Sequence, residues 1–190
     1  MISSKQDYKN YILADKEANH INDFYHNRLM ITWKYLKCMR RLEYMVNCKH
    51  GFLAKISITW LKFRLYKLSV KSGLTIPANT FGKGLYIAHH GAVIVNPTAR
   101  FGDYCVIQNG VNISEKVNGG NHIYLGTGAK ILIGVCLPDD VIVGANAVVT
   151  KSVETPNVVV AGVPAKKISD NGYRNRLSVY CLLYTSPSPR

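Results

Sequence analysis

Two adjacent histidines, His89 and His90, stand where the sequence breaks its own rhythm. Imidazoles exchange protons near neutral pH, so a histidine held clear of a packed core can act as a general base. Phe81 and Ile87 are six residues apart, but the next matching apolar residue, Val95, lies eight further on. The slip falls at Ala88-His89-His90-Gly91. Extra residues bulge from a strand ladder and re-aim a side chain, commonly beside active sites. A hydroxyl is a poor nucleophile near neutral pH. A base so placed could take the proton of an attacking hydroxyl.

The element that must position these histidines is a run of hexads from Val93 to Ser152. The third place of each reads Val95, Phe101, Ile107, Ile113, Gly119, Leu125, Ile131, Leu137, Val143 and Val149. All but Gly119 are apolar, and the following place is often glycine. A helix repeats every 3.6 residues and a plain strand every 2. A period of six fits neither. It fits short strands joined by tight corners, with one large side chain per segment pointing inward. Coils should stack at about 4.8 Å, the ordinary interstrand spacing, with residues roughly 18 apart one above another. About four such coils are expected.

The 190 residues are 47% hydrophobic with a net charge of +13, suiting one domain with a short appendage. The charge is uneven: Arg28 to Lys71 holds eleven Lys or Arg and one acid, Glu43, whereas the repeat is near balance. No recognised nucleic-acid motif accompanies the charge, so no nucleic-acid partner is expected. The five cysteines show no C-x-x-C pair and no metal-ligand spacing, so no metal is expected; Cys105 and Cys136 read as small packing residues. The opening ten residues are polar and no 18-residue apolar run occurs; a cytoplasmic location is the default expectation.

Residues 1–73 read as a basic helical region, 74–170 as the β domain and 171–190 as a tail. Within the first, apolar spacing at Leu29, Trp33 and Leu36, then Phe52, Ile56, Trp60 and Phe63, predicts two helices broken near Asn47–Gly51. Gly73 and Pro77 should end the second. Its cations, Lys55, Lys62, Arg64, Lys67 and Lys71, fit a solvated face with an apolar face on a neighbour. Interleaved Trp, Phe and Tyr also fit peripheral contact with a membrane surface. The last ten residues fit neither repeat nor cap. They resemble translated sequencing-adapter sequence and read as not native.

The hexads, the bulge and the Val-Pro-Ala-Lys ending at 163–166 together resemble the hexapeptide-repeat acyltransferases. That resemblance implies a left-handed parallel β-helix, against the usual right-handed crossover preference. Ile76-Pro77 and Gly82-Lys83-Gly84-Leu85-Tyr86-Ile87-Ala88-His89 are similar to the serine acetyltransferase branch, in particular its short members from polysaccharide gene clusters. The resemblance implies acetyl-CoA as co-substrate, a small hydroxyl acceptor, a place in cysteine biosynthesis and a homotrimer with sites between subunits. It implies His89 as the general base, with His90 and His122 as further acceptor-site residues. Gly144 to Lys151 is similar to the family's acetyl-CoA segment, which implies donor contacts at Ala145, Thr150 and Lys151. Thr127 lies one coil below Ala145, and Lys166 would meet the nucleotide phosphates as a point charge.

The sequence also departs from that branch. The residue before the base is Ala88, where an acid often helps hold the amino acid. Leu74-Thr75 has no acid to orient the base, which leaves a backbone carbonyl or Asp103. Serine and a sugar or polysaccharide hydroxyl therefore both stand as acceptors, and a noncatalytic β-helix scaffold is the reading from another class.

Overall fold

A computed structural model describes residues 1–174; the tail beyond, including the ten residues read as foreign, lies outside the described residues. Four helices precede the strands: α1 (Lys5–Ala18), α2 (Phe24–Leu29), α3 (Ile31–Cys48) and α4 (Phe52–Ser72). From Leu74 to Ser169 the chain winds as a parallel β-helix with three faces. The first face stacks Leu74–Thr75, Val93–Val95, Asn112–Ile113, Lys130–Ile131 and Val148–Val149, five rungs rather than the four coils expected. The extra rung is Leu74–Thr75, which lies below the regular hexads. The second face carries three strands and the third six, the last pair an antiparallel hairpin of Val159–Gly162 and Ala165–Ser169. Regular rungs pair residues eighteen apart, as in Ile107 with Leu125 and Ile113 with Ile131.

Every apolar third-place residue is at most 7% exposed, so the hexad phase is right. A second inward column accompanies it. Ala99, Cys105, Val111, Val117, Ile123, Ala129, Val135, Val141 and Ala147, each two residues earlier, are also buried. Each short strand alternates its side chains, so the places on either side of an outward residue both face the core. Cys136 sits on the outward place and is exposed, contrary to its reading as a packing residue. Gly119 breaks the pattern because the Phe101 ring, one rung below, fills the space its side chain would need. That ring stacks on Phe81 with centroids 4.8 Å apart.

The first rung has no coil beneath it, and the helices supply the missing partners. Asp15 in the last turn of α1 and Asn19, the residue that caps its end, are four apart and face the same way. Asp15 accepts from Leu85 N at 2.9 Å. Asn19 donates to Leu85 O at 2.8 Å and accepts from Ile87 N at 3.2 Å. Tyr35 of α3 both donates to Ile76 O and accepts from Ile76 N. An open sheet end is thereby closed without exposed backbone. Trp33, Tyr35, Leu36 and Met39 share one core with the coil interior.

α4 corrects the sequence reading. Phe52, Ile56, Trp60 and Phe63, read as its packing stripe, are all exposed. The packed side is Ala54 and Leu61, with Ile58, Leu65 and Leu68 partly buried against Cys38 and Leu42 of α3. The helix is apolar on both sides, so periodicity alone does not choose between them.

Candidate active site

The β-helix has three corners, and the candidate residues divide among them. The corner leading from the third face to the first carries His89 and His90. Ala88 N still bonds Ile107 O at 3.1 Å, and Ile87 pairs with Ile107, twenty residues on. By Val95 the pairing is with Ile113, eighteen on. The lower rung therefore holds two extra residues between Ile87 and Val95, which is the bulge read from the hexad slip.

The bulge is pinned from below by the end of α4, where Gly91 N donates to Ser72 O at 2.7 Å. Gly73 ends that helix at φ 73°, and a Cβ there would stand 2.8 Å from the Gly91 carbonyl carbon. Only glycine suits both demands. His89 and His90 are exposed, and the His89 ring has no hydrogen-bond partner among the described residues.

Above the bulge the same corner continues upward. Gly110 N bonds Ala92 O, Gly128 N bonds Asn109 O, and Asn146 N bonds Thr127 O, at 2.7, 2.9 and 2.8 Å. Gly91, Asn109, Thr127 and Ala145 thus form one column spaced by eighteen residues. Asn109, Thr127 and Ala145 are exposed along it. Sequence reasoning placed Thr127 beneath Ala145 but stopped there; one further step down gives Asn109, the residue next above the histidine bulge. Gln108 beside it donates to the Tyr124 hydroxyl at 3.1 Å.

His122 lies at a different corner, between the second and third faces. Its Nδ1 is 3.1 Å from Asp140 Oδ1, and the other Asp140 oxygen accepts from Arg174 at 2.8 Å. Asp140 is 2% exposed, so this carboxylate is held beneath the imidazole. Tyr104 and Tyr173 stack on the His122 ring at centroid distances of 5.9 and 6.3 Å. Neither Asp140 nor Arg174 was singled out from the sequence; Asp140 was visible only as the residue eighteen after His122. Asp103 belongs to this second corner as well, accepting from Lys83 N at 3.0 Å. It is therefore not the group that orients His89, because it faces a different edge of the prism.

Thr150 and Lys151 stand at the third corner, both exposed. An open cleft of about 280 Å³ at the top takes in Lys151, Glu154, Ala165 and Lys167. Lys166 is exposed on the neighbouring last strand. One chain thus brings His89, Thr127 and Ala145 to one corner and leaves His122, Thr150 and Lys151 on others. Among the described residues no cluster of His, Cys, Asp or Glu could hold a metal ion.

No family model matches the chain. A serine acetyltransferase of Helicobacter pylori (strain J99) is 38% identical over 101 residues, which cover 49% of this chain and 58% of that protein. The chain therefore spans little more than half the length of the curated relative it matches. Among solved structures, the serine acetyltransferase of Brucella abortus strain S19 in complex with coenzyme A superposes with a TM-score of 0.72 at 22% identity. That match covers 89% of this chain and 70% of the other. The Neisseria gonorrhoeae serine acetyltransferase in complex with serine gives 0.71 at 20% identity, covering 87% and 71%. The superposition supports the fold that the family resemblance implies, the left-handed parallel β-helix. The chain is a hexapeptide-repeat left-handed β-helix protein, serine acetyltransferase-like in sequence over 101 residues and in its fold.

Proposed function

We propose that the protein is an O-acetyltransferase that moves an acetyl group from acetyl-CoA to a small hydroxyl acceptor, with His89 as general base. The observation that carries this reading is the exposed bulge at the foot of the Asn109–Thr127–Ala145 column. It offers a free imidazole beside an exposed column of small and polar side chains. His89 takes the hydroxyl proton as the oxygen attacks the thioester carbon. Collapse of the tetrahedral adduct breaks the carbon–sulfur bond, and the thiolate leaves with the proton that His89 gives up. Thr127 and Ala145 line the donor side, and Lys151 and Lys166 carry positive charge towards the nucleotide phosphates. Support comes from the sequence likeness to serine acetyltransferases and from neighbours solved with coenzyme A and with serine.

A sugar hydroxyl is the second acceptor reading, favoured by Ala88. The side chains at 88, 108 and 109 are uncharged, so the corner offers an amino acid's ammonium group no carboxylate. The working assembly in this reading is a homotrimer, in which a cleft between chains joins corners that one chain holds apart. Thiol release from acetyl-CoA, followed across serine, homoserine and nucleotide sugars, tests the activity and chooses the acceptor. Release with none of them, from folded protein, would favour a noncatalytic scaffold.

A further inference from the structure

We infer that α4 docks the protein onto an anionic membrane surface, lying along the lipid interface with its outward face buried. The helix has two apolar sides, and only one is used. Phe52, Ile56, Phe63 and Val70 point away from the packed side, with Trp60 and Tyr66 flanking them, and all six are exposed. Phe52 and Val70 are eighteen residues apart, about five turns or roughly 27 Å of helix, so the strip runs nearly the full length of α4. Soluble surfaces rarely leave so continuous an apolar strip unpartnered.

The charges choose the partner. α4 holds Lys55, Lys62, Arg64, Lys67 and Lys71 and no acid. At 100° per residue, Lys55 and Lys62 fall along one edge of the strip and Arg64 and Lys71 along the other. Arg64 lies 5.3 Å from the centre of the Trp60 ring, and Lys67 lies 4.5 Å from that of Phe63. An interfacial helix has this arrangement: rings and aliphatic groups enter the acyl boundary while cations reach the phosphate headgroups. A second copy of α4 would set five cations against five with no acid between them. A nucleic acid would meet the cations but leave Leu53, Ile56 and Val70 without apolar partners. Among the described residues no helix is long and apolar enough to cross a membrane, so the contact is along the surface.

Trp60 reports the contact directly, because the other tryptophan, Trp33, is buried with its indole N–H on Asn27. The full chain is sedimented with phosphatidylcholine vesicles, with and without phosphatidylglycerol, while tryptophan emission is followed. Binding should require phosphatidylglycerol, shift emission to the blue and weaken with salt. Each Lys→Gln change among Lys55, Lys62 and Lys67 should weaken partition about fivefold. The pair Ile56→Ser and Phe63→Ser, which leaves every charge in place, should abolish the blue shift. Unchanged emission with phosphatidylglycerol vesicles would overturn the inference, as would undiminished binding by the Ser pair. Self-association removed by that pair without vesicle binding would assign the face to a second copy. An oligonucleotide retained in preference to vesicles would assign it to nucleic acid.

Discussion

The Arg40 guanidinium donates its Nε–H to Asp15 Oδ2 at 2.7 Å, with both side chains fully buried. Arg40 also bonds Glu43 and the carbonyls of Phe81 and Gly82, so one cation ties α1 and α3 to the lowest rung. Burial pulls the Arg40 pKa down, but Asp15 and Glu43 more than reverse this and hold it charged. Breaking a buried pair by removing one partner leaves an uncompensated charge and costs roughly 3–5 kcal/mol. Arg40→Met should therefore lower the urea midpoint steeply. Arg40→Lys should recover little, because an ammonium cannot reproduce the forked geometry. Lys83→Ala breaks an exposed pair with Asp103 at 3.9 Å and should cost under about 1 kcal/mol. Equal midpoints for Arg40→Met and Lys83→Ala would refute this account of the junction.

Leu125 is fully buried on the third face, and Lys116 is exposed at a corner with φ 57°. Leu125→Asp puts an unpaired carboxylate into the coil interior, at a cost of several kcal/mol out of a typical total of about 5–15. Lys116→Asp should be mild, since aspartate tolerates the left-handed region. Thermal melts of the two variants should differ by many degrees; coincident melts would mean the inward phase is wrong.

Gly119 offers the reverse test, because restoring the apolar pattern there should do harm. A Cβ at Gly119 would collide with the Phe101 ring, so Gly119→Val should cost roughly 1–3 kcal/mol by overpacking. Phe101→Ala combined with Gly119→Val should lose less than the two separate losses added together. Strict additivity in a denaturation cycle would show that the two residues do not share one space.

These residues also mark what could be read from the chain alone. The period of six and its inward phase were legible, because each coil repeats the same environment and one apolar column suffices to fix it. The bulge at His89 was legible for the same reason, as a defect in a regular signal. The second inward column was equally present but uncounted, so Cys136 was misplaced. The α4 stripe failed because both sides of that helix are apolar and only contact with α3 selects one. The clamp of Asp140 and Arg174 on His122 depends on residues brought together by the coil and by the chain returning after the last strand. No local pattern encodes it.

The cysteines give a chemical check on burial. Cys105 is 1% exposed and its thiol is pushed up to about 12 by burial, whereas Cys136 is exposed. The thiolate is the reactive form, so a raised pKa and lost access act in the same direction. Native-state alkylation followed by peptide mass mapping should find Cys136 modified and Cys105 protected until denaturant is added. Labelling of Cys105 at the rate of Cys136 in folded protein would show that the coil interior is open.

Within the proposed enzyme, His89→Ala should lower turnover by about 10²–10⁴-fold, with His90→Ala costing much less and both variants keeping the wild-type melt. Near-normal turnover by folded His89→Ala would remove it as the base.

The arrangement of corners makes the assembly testable. His89 and His122 flank opposite edges of the third face, so a single chain cannot close both on one small acceptor. In a threefold assembly the His89 corner of one chain can meet the His122 corner of the next, enclosing a ligand that either corner alone leaves open. His89→Ala and His122→Ala should then each be inactive as pure trimers. Mixed after reversible dissociation, they should regain activity, because about a quarter of the clefts in random trimers combine the two intact corners. Native mass spectrometry establishes the exchange, and thiol release measures the recovery. Exchange without recovery would mean that each site belongs to one chain. Full activity in His122→Ala alone would mean that His122 takes no part in the cleft.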